Sequence, residues 1–365
     1  SNLQMSLVVL LSIGLAVLSW RYVERPFRSR TRITARPLFA GAVTAMAVLV
    51  VIGGMIAVTQ GWPGRFPPQV QMIAAVSAAT DPRSIECKSF LSGEGRTEPC
   101  IYGAPAAPRT AVWGDSHANA LIPGIAAAAE RHGEAVAFLG ADSCRPVFDV
   151  YDGRVANTEC RDYNDAVRAW LQARPEITHV IVVSRWATLA HGKTGILGPN
   201  EGYEPPAISD RPGRVVDIDT AERLAERHVR QTIDILRQIG KTVVLVYPVP
   251  EIGYDVPSTL ARLVLFGEEP GSFTRPLALH RERQRFIAGV LDELGDDRII
   301  RVHPETRLCN EQDCMVYAGG QPLYHDDDHL SLAGAAWLAP LFDPVFAAVA
   351  EAGPVRPSRS AAARP

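Results

Sequence analysis

The sequence lacks any strong imbalance of charge: 37 basic residues stand against 40 acidic ones, a formal net charge of −3. No stretch interleaves basic with aromatic side chains, so the electrostatic footprint of a nucleic-acid binder is missing. There is no Cys-x-x-Cys, and His303 near Cys309 is a weak partner for a metal, so a zinc site is a poor reading of the six cysteines. No internal repeat is evident. What the chain does have is apolar material, 47% of its residues, enough for a full core with membrane segments added.

The six cysteines fall in local pairs: Cys87 with Cys100, Cys144 with Cys160, and Cys309 with Cys314. An even number in close pairs points to disulfides and an oxidising compartment. Buried free thiols are the alternative, and would be the default in a cytosolic protein.

Charge is also absent from residues 5–20 and 38–58. The second run is long enough to span a bilayer, which takes about 20 apolar residues. The first is slightly short and reads as a span cut at its start. Between them stand Arg21, Arg25, Arg28, Arg30, Arg32 and Arg36 against the single acid Glu24. Dense arginine in a short loop between spans marks the cytoplasmic side, so everything after Gln60 is expected outside the cytoplasm. A cleaved signal peptide would place its positive charges before the apolar stretch and would not need two stretches.

Residues 61–108 are rich in proline, glycine and small side chains, and read as an irregular extension with one short helix over 72–79. From Arg109 the pattern becomes strand-then-helix. Strands are predicted at 110–114, 135–140, 179–184, 242–249 and 298–303, and helices at 118–132, 162–173, 221–239, 276–294 and 332–350. Continuous apolar strands alternating with helices imply a parallel sheet covered on both faces. Ligands then bind beyond the carboxyl ends of the strands. Two stretches, 190–215 and 251–275, break the alternation and read as loops, either binding loops or solvated insertions.

Two motifs carry chemistry. Gly114-Asp115-Ser116-His117 follows the first strand and precedes a helix, which puts a hydroxyl at the sheet edge beside helix N–H groups. A serine needs a base to become a nucleophile. Near the chain end, Asp326-Asp327-Asp328-His329 places a carboxylate three residues before an imidazole. A carboxylate so placed fixes the tautomer of the imidazole and stabilises its protonated form. Asp326 is preferred over Asp327 and Asp328 only because it holds the DxxH spacing. An acidic turn with an incidental histidine, a helix-capping cluster and a divalent-cation site are the competing readings; the last ranks well below, and no metal is expected.

GDSH at the domain start and DxxHLS near its end resemble the first and last blocks of the SGNH hydrolase superfamily. WRYVERPFR (residues 20–28) resembles the end of the family-3 acyltransferase membrane domain. CRP (residues 144–146) and LCNEQDCMVYAGGQPLYHDDDHLS (residues 308–331) resemble the bacterial subfamily in which the two are fused. The resemblance runs from Met5 to about Val349. It implies an α/β fold: a three-layer α/β/α, flavodoxin-like domain with a parallel five-stranded sheet, preceded by two transmembrane helices. The implied divisions are the end of the acyltransferase domain (1–36), an additional span (37–60), the extension (61–108), the SGNH domain (109–350) and a disordered tail (351–365).

The resemblance also implies roles: Ser116 as nucleophile, His329 as general base and Asp326 as its orienting acid. The superfamily's third block, GxND, is not matched, because Ser184-Arg185-Trp186 follows the third strand and holds no asparagine. The expected oxyanion hole is therefore the Ser116 N–H with donors from the Gly140–Ser143 loop (Gly140, Ser143) and from Arg185. Asn119, one turn into the helix, is a weaker candidate for it or for contacting substrate, with a solvated helix residue as the stronger reading. Trp186 is a candidate for stacking on a sugar or for core packing, and His117 for assisting in the site or capping the helix. The implied activity is O-acyl transfer, acetyl above all, to a cell-surface polysaccharide or its lipid-linked precursor. A carbohydrate acetylesterase and a non-catalytic glycan-binding module are the alternatives. No bound cofactor is expected. Acetyl-CoA would be the ultimate acyl donor through the membrane domain of the same protein. The spans would sit in the lipid of the bacterial inner membrane, with the SGNH domain in the periplasm.

Overall fold

In the computed structural model, residues 2–25, 35–59, 61–87 and 98–351 are described. The chain divides into two compact units between Phe66 and Pro67.

The first unit holds helix α1 (Asn2–Ser19), which continues as a π-helical turn over Trp20–Glu24, and helix α2 (Ala35–Val58). Both are long and apolar enough to cross a membrane. At 1.5 Å per residue, the 24 residues of α2 reach about 36 Å, more than the hydrocarbon thickness of a bilayer. Leu10, Leu11, Leu49 and Val50 on these helices are each more than 60% exposed, the pattern of a surface meant for lipid rather than water. Arg28, Arg30 and Arg32 lie outside the described residues.

The second unit is built on a six-stranded sheet: β1 (Cys100–Gly103), β2 (Thr110–Gly114), β3 (Ala135–Gly140), β4 (His179–Val183), β5 (Thr242–Val246) and β6 (Ile299–Val302). The order across the sheet is β1-β3-β2-β4-β5-β6. The last five run parallel, and β1 pairs antiparallel to β3 at the edge. The five predicted parallel strands are thus present, and a sixth strand joins them from the stretch read as an irregular extension. That reading is corrected here: four residues beside proline and glycine give too short a pattern to see. The stretch also carries helix α3 (Pro68–Ala75), starting four residues earlier than expected, because Pro68 fits the first turn, where no N–H is needed.

Helix α4 (Ser116–Arg131) leaves β2 directly. Helices α5 (Glu159–Gln172) and α6 (Ile218–Gln238) follow, then α7 (Val256–Leu265), α8 (Leu277–Asp292), α9 (Leu332–Leu338) and α10 (Asp343–Glu351). Alternate sheet residues face opposite layers. Ala111, Trp113, Val180, Val182, Val243 and Leu245 form one core with Val167 and Leu171 of α5, Val229 and Leu236 of α6, and Leu291 of α8. The other face is covered by α4, against which α9 and α10 pack. The α9–α10 stretch is also long and apolar enough to span a membrane, but 44% of that window is buried and Leu338, Phe342 and Phe346 are core residues, so it belongs to the fold.

Neither long loop is featureless. The first contains short antiparallel pairings of Lys193–Thr194 with Tyr203–Glu204 and of Ile208–Ser209 with Tyr151–Asp152. The second contains α7, whose Asp255 cap accepts a hydrogen bond from the Ser258 N–H, and α3 packs on it. Disulfides join Cys87 to Cys100, Cys144 to Cys160 and Cys309 to Cys314. The first ties the extension to the edge strand.

Candidate active site

The site starts where β2 stops. Gly114 ends the strand, and a Cβ there would lie 1.9 Å from the Val183 carbonyl oxygen and 2.8 Å from Ala118 Cβ. Only glycine lets the chain turn from strand to helix this close to β4. Asp115 then caps α4: its Oδ1 accepts the His117 N–H at 3.0 Å, while Oδ2 accepts from Ser184 Oγ (2.7 Å) and the Arg185 N–H (2.9 Å). This buried aspartate binds the exits of β2 and β4 together. Ser116 is left as the first helical residue, where backbone N–H groups have no acceptor within the helix and the helix dipole is positive.

The partner comes from the loop before α9. A β-bridge between Tyr324 and Leu330 closes this loop, and the His325 N–H donates to the His329 carbonyl at 3.0 Å. Ser331 caps α9 through the Gly334 N–H and donates to the Pro322 carbonyl. Inside the turn, Asp326 Oδ1 accepts the N–H groups of Asp328 (2.9 Å) and His329 (2.7 Å). Asp326 Oδ2 lies 2.7 Å from His329 Nδ1, and His329 Nε2 lies 2.7 Å from Ser116 Oγ. Residues 213 positions apart meet at the carboxyl end of the sheet.

A second carboxylate touches the same imidazole. Asp328 Oδ1 lies 3.0 Å from His329 Nδ1, and its Oδ2 is 2.5 Å from Arg185 Nη1 and 3.3 Å from His117 Nε2. Burial opposes a charge on His329, but its hydrogen bonds to Asp326 and Asp328 and their negative charges hold the imidazole up at about 10. For Asp328, burial is likewise outweighed, by its bonds to His117 and His329, which hold it well below the usual carboxylate range. Asp327 makes neither bond, and burial together with its acidic neighbours pushes it up to about 6.

Ser116 opens on a cavity of about 180 Å³. One wall is α4, with Asn119, Ala120 and Pro123. The opposite wall is the extension, with Ala79, Thr80, Asp81 and Ser84. His325, His329 and Leu332 close it, and Asp142 stands at the rim. Asp81 is fixed there by the Tyr102 hydroxyl of β1 at 2.7 Å. Nothing in the composition of 61–108 announced that it would line the site.

Several expected site residues lie elsewhere. Arg185 is not available as an oxyanion donor: its guanidinium is buried and spent on Asp328 and on Glu251, with Nε to Glu251 Oε2 at 2.7 Å. Gly140 and Ser143 do not line the cavity. Gly140 is needed because a Cβ would fall 2.1 Å from the Phe138 ring, and the Ser143 carbonyl is taken by Arg145 Nη1. Trp186 is 1% exposed and donates to the Val246 carbonyl at 2.9 Å, so it packs the core and cannot stack on a sugar. Asn119 does face the cavity, and its Oδ1 is buried without a hydrogen-bond partner among the described residues. His117 does more than open the helix, since its ring sits 4.8 Å from that of His329. Three overlapping sets, His117–Asp328–His329, His325–Asp326–His329 and Asp326–Asp327–Asp328, each bring their donor atoms within 4.8 Å of one another, as metal ligands would. His117, Asp326, Asp328 and His329 spend these atoms on the contacts just described, and Arg185 already supplies a positive charge.

The family model for the SGNH domain (fused to AT3 domains) matches residues 86–344. No curated protein matches the chain. Among solved structures, the periplasmic domain of a lipopolysaccharide acetyltransferase from Salmonella ser. Paratyphi A aligns at 16% identity and a TM-score of 0.48, covering 66% of this chain and 84% of that one. A protein described as an acylhydrolase from Bacteroides fragilis aligns at 8% identity and a TM-score of 0.36, covering 68% of this chain and 91% of that one. With the matched span taking in both the GDSH turn and the DxxH loop, the chain belongs to the SGNH domains that occur fused to AT3 domains.

Proposed function

We propose that this domain transfers an acyl group, acetyl above all, to a hydroxyl of a cell-surface glycan or its lipid-linked precursor through a Ser116 ester. The observation that carries the reading is the continuous hydrogen-bonded line Ser116 Oγ–His329 Nε2 and His329 Nδ1–Asp326, with each link at 2.7 Å. In the neutral imidazole, Nδ1–H donates to Asp326 and Nε2 accepts from the Ser116 hydroxyl. As Oγ attacks the acyl carbonyl, its proton passes to Nε2, and the two loop carboxylates stabilise the imidazolium. The tetrahedral oxyanion forms at the start of α4, beside the Ser116 N–H, with the Asn119 carboxamide one turn along. Collapse expels the donor group, which takes the proton from His329. The acceptor hydroxyl then repeats the sequence in reverse, giving its proton to Nε2 and leaving with the acyl group.

The direction of transfer rests on the company the domain keeps. Members of its family are fused to AT3 domains, and two helices long enough to span a membrane precede it here. The disulfides and the arginines near those helices support an extracytoplasmic domain at the inner membrane. Acetyl-CoA would then be used by the membrane domain on the cytoplasmic side, so acyl groups would arrive already transferred. Water competes with the sugar hydroxyl for one acyl-enzyme, so acetylesterase activity is the same chemistry without an acceptor.

The test uses a chromogenic acetyl ester and a serine-reactive phosphonate. The wild-type protein is expected to hydrolyse the ester slowly and to be labelled at Ser116. Ser116→Ala should lose both, with kcat/KM falling by about 10³ or more. Hydrolysis by Ser116→Ala at the wild-type rate would remove the nucleophile from the scheme. Glycan binding without labelling would make the domain a binding module.

A further inference from the structure

We propose that Asp328 is a positioning residue for this reaction, a second carboxylate on His329, and that the buried Arg185–Glu251–Arg283 chain beneath it sets how basic His329 is. The inference rests on the Ser116–His329 reading and adds to it residues outside the DxxH spacing.

The argument begins with burial. Asp328 is 2% exposed, Glu251 4% and Arg185 9%, so charge is held here out of water, which is costly unless every partner is in place. The charged partners are in place, while Arg185 Nη2, in ion-pair reach of Glu251, and Gln284 Oε1 make no hydrogen bond among the described residues. Arg185 Nη1 meets Asp328 Oδ2, and Arg185 Nε and Nη2 meet Glu251 Oε2. Glu251 Oε1 accepts from Gln284 Nε2 at 2.8 Å and from Arg283 Nε at 3.2 Å. Arg283 in turn donates to the Gly192 carbonyl and lies 3.7 Å from the buried Glu201. The segment after β4 supplies Arg185, the segment after β5 supplies Glu251, and α8 supplies Arg283 and Gln284. A surface acid would need none of this, and a purely structural one would not place its free oxygen 3.0 Å from the Nδ1 already bonded to Asp326.

The consequence is electrostatic. Nδ1–H is shared between two carboxylates, and an imidazolium between two negative charges is favoured over the neutral ring. Arg185 neutralises one of them and so tempers the effect. The other groups facing His329 are His117 from α4, His325 and Asp327 on its own loop, and Asp81 and Asp142 across the cavity. Because only neutral His329 can take the Ser116 proton, the rate of attack should rise with pH through the imidazole's own titration. Removing the Asp328 charge lowers that titration. Removing the Arg185 charge leaves Asp328 unopposed and raises it.

The measurement is kcat/KM for a chromogenic acetyl ester from pH 5.5 to 10.5, with melting temperature as the check on folding. In the wild type the rate should still be climbing above pH 8. Asp328→Asn should move the midpoint of the rise down by about one unit or more, so that it holds a larger share of its own maximum at pH 7. Arg185→Gln should move it up, and Arg185→Lys should restore the wild-type midpoint. Should the variants fail to fold, the imidazole of His329 can be titrated in the wild-type protein by NMR, where a midpoint above 8 is expected. A folded Asp328→Asn whose profile keeps its midpoint and drops uniformly, or a wild-type midpoint below 7, overturns the proposal. In the same assay, an inactive Ser116→Ala beside an unshifted Asp328→Asn rejects this inference alone, whereas an active Ser116→Ala rejects the nucleophile itself.

Discussion

Gly114 shows how much of this site depends on a single atom that is not there. The Ser116 hydroxyl reaches His329 only if β2 can stop and α4 can begin within one residue of the Val183 carbonyl. A methyl group at position 114 would sit 1.9 Å from that oxygen, which is backbone and cannot rotate away. Gly114→Ala should therefore force β2 and β4 apart and cost about 3 kcal/mol or more, at the upper end of what overpacking costs. The check is a melting curve together with phosphonate labelling. A stable Gly114→Ala that labels Ser116 at the wild-type rate would mean that the turn is held some other way. Asp115 works beside it. It carries no proton in the scheme, yet its two oxygens fasten the Ser116 turn to Ser184 and Arg185, the latter being the root of the ion chain beneath Asp328.

At the scale of elements, the edge strand β1 and the segment before it form a wall rather than a tether. Tyr102 on β1 holds Asp81 in the cavity, and the Cys87–Cys100 bond fixes the segment that carries Asp81 and Ser84 against that strand. Closing a loop of 13 residues stabilises by roughly 3 kcal/mol when the unfolded chain is otherwise free. The double variant Cys87→Ser/Cys100→Ser should melt earlier. It should raise KM for a glycan acceptor several-fold while ester hydrolysis, which needs only the triad, keeps its kcat. An unchanged KM would put the extension outside acceptor binding.

The same elements show what a sequence can reveal of such a site. Ser116 and His329 could be read because each sits in a local string, one at a strand-to-helix switch and one in a DxxH turn. Asp326 could be read from spacing alone. Asp328 could not, since three adjacent aspartates look alike until the fold buries one of them on Arg185. The sequence puts Arg185 and Trp186 just after the third predicted strand but does not show which way they point, because orientation at a strand exit is set by partners from other segments: Glu251, Asp328 and the Val246 carbonyl. Helix α7 was hidden by the proline and glycine around it, although Asp255 three residues before Ser258 is an ordinary capping signal.

At the scale of the whole molecule, the candidate site and the apolar helices belong to different units. The triad, its second carboxylate, the cavity walls and the disulfides all belong to the unit that starts at Pro67, and the two apolar helices belong to the other. Among the described residues, the hydrogen bonds named above for the site begin at Asp81. A chain beginning at Pro67 should therefore fold, remain in solution after ultracentrifugation, and hydrolyse a soluble acetyl ester with the kcat/KM of the longer protein. It should fail to acetylate surface glycans in cells, because a freely diffusing domain cannot be handed acyl groups at the membrane. Joining the domain to an acyltransferase membrane domain should restore transfer. Rescue by the free domain would mean that acyl groups reach Ser116 through solution, and that the membrane helices serve only to localise the reaction.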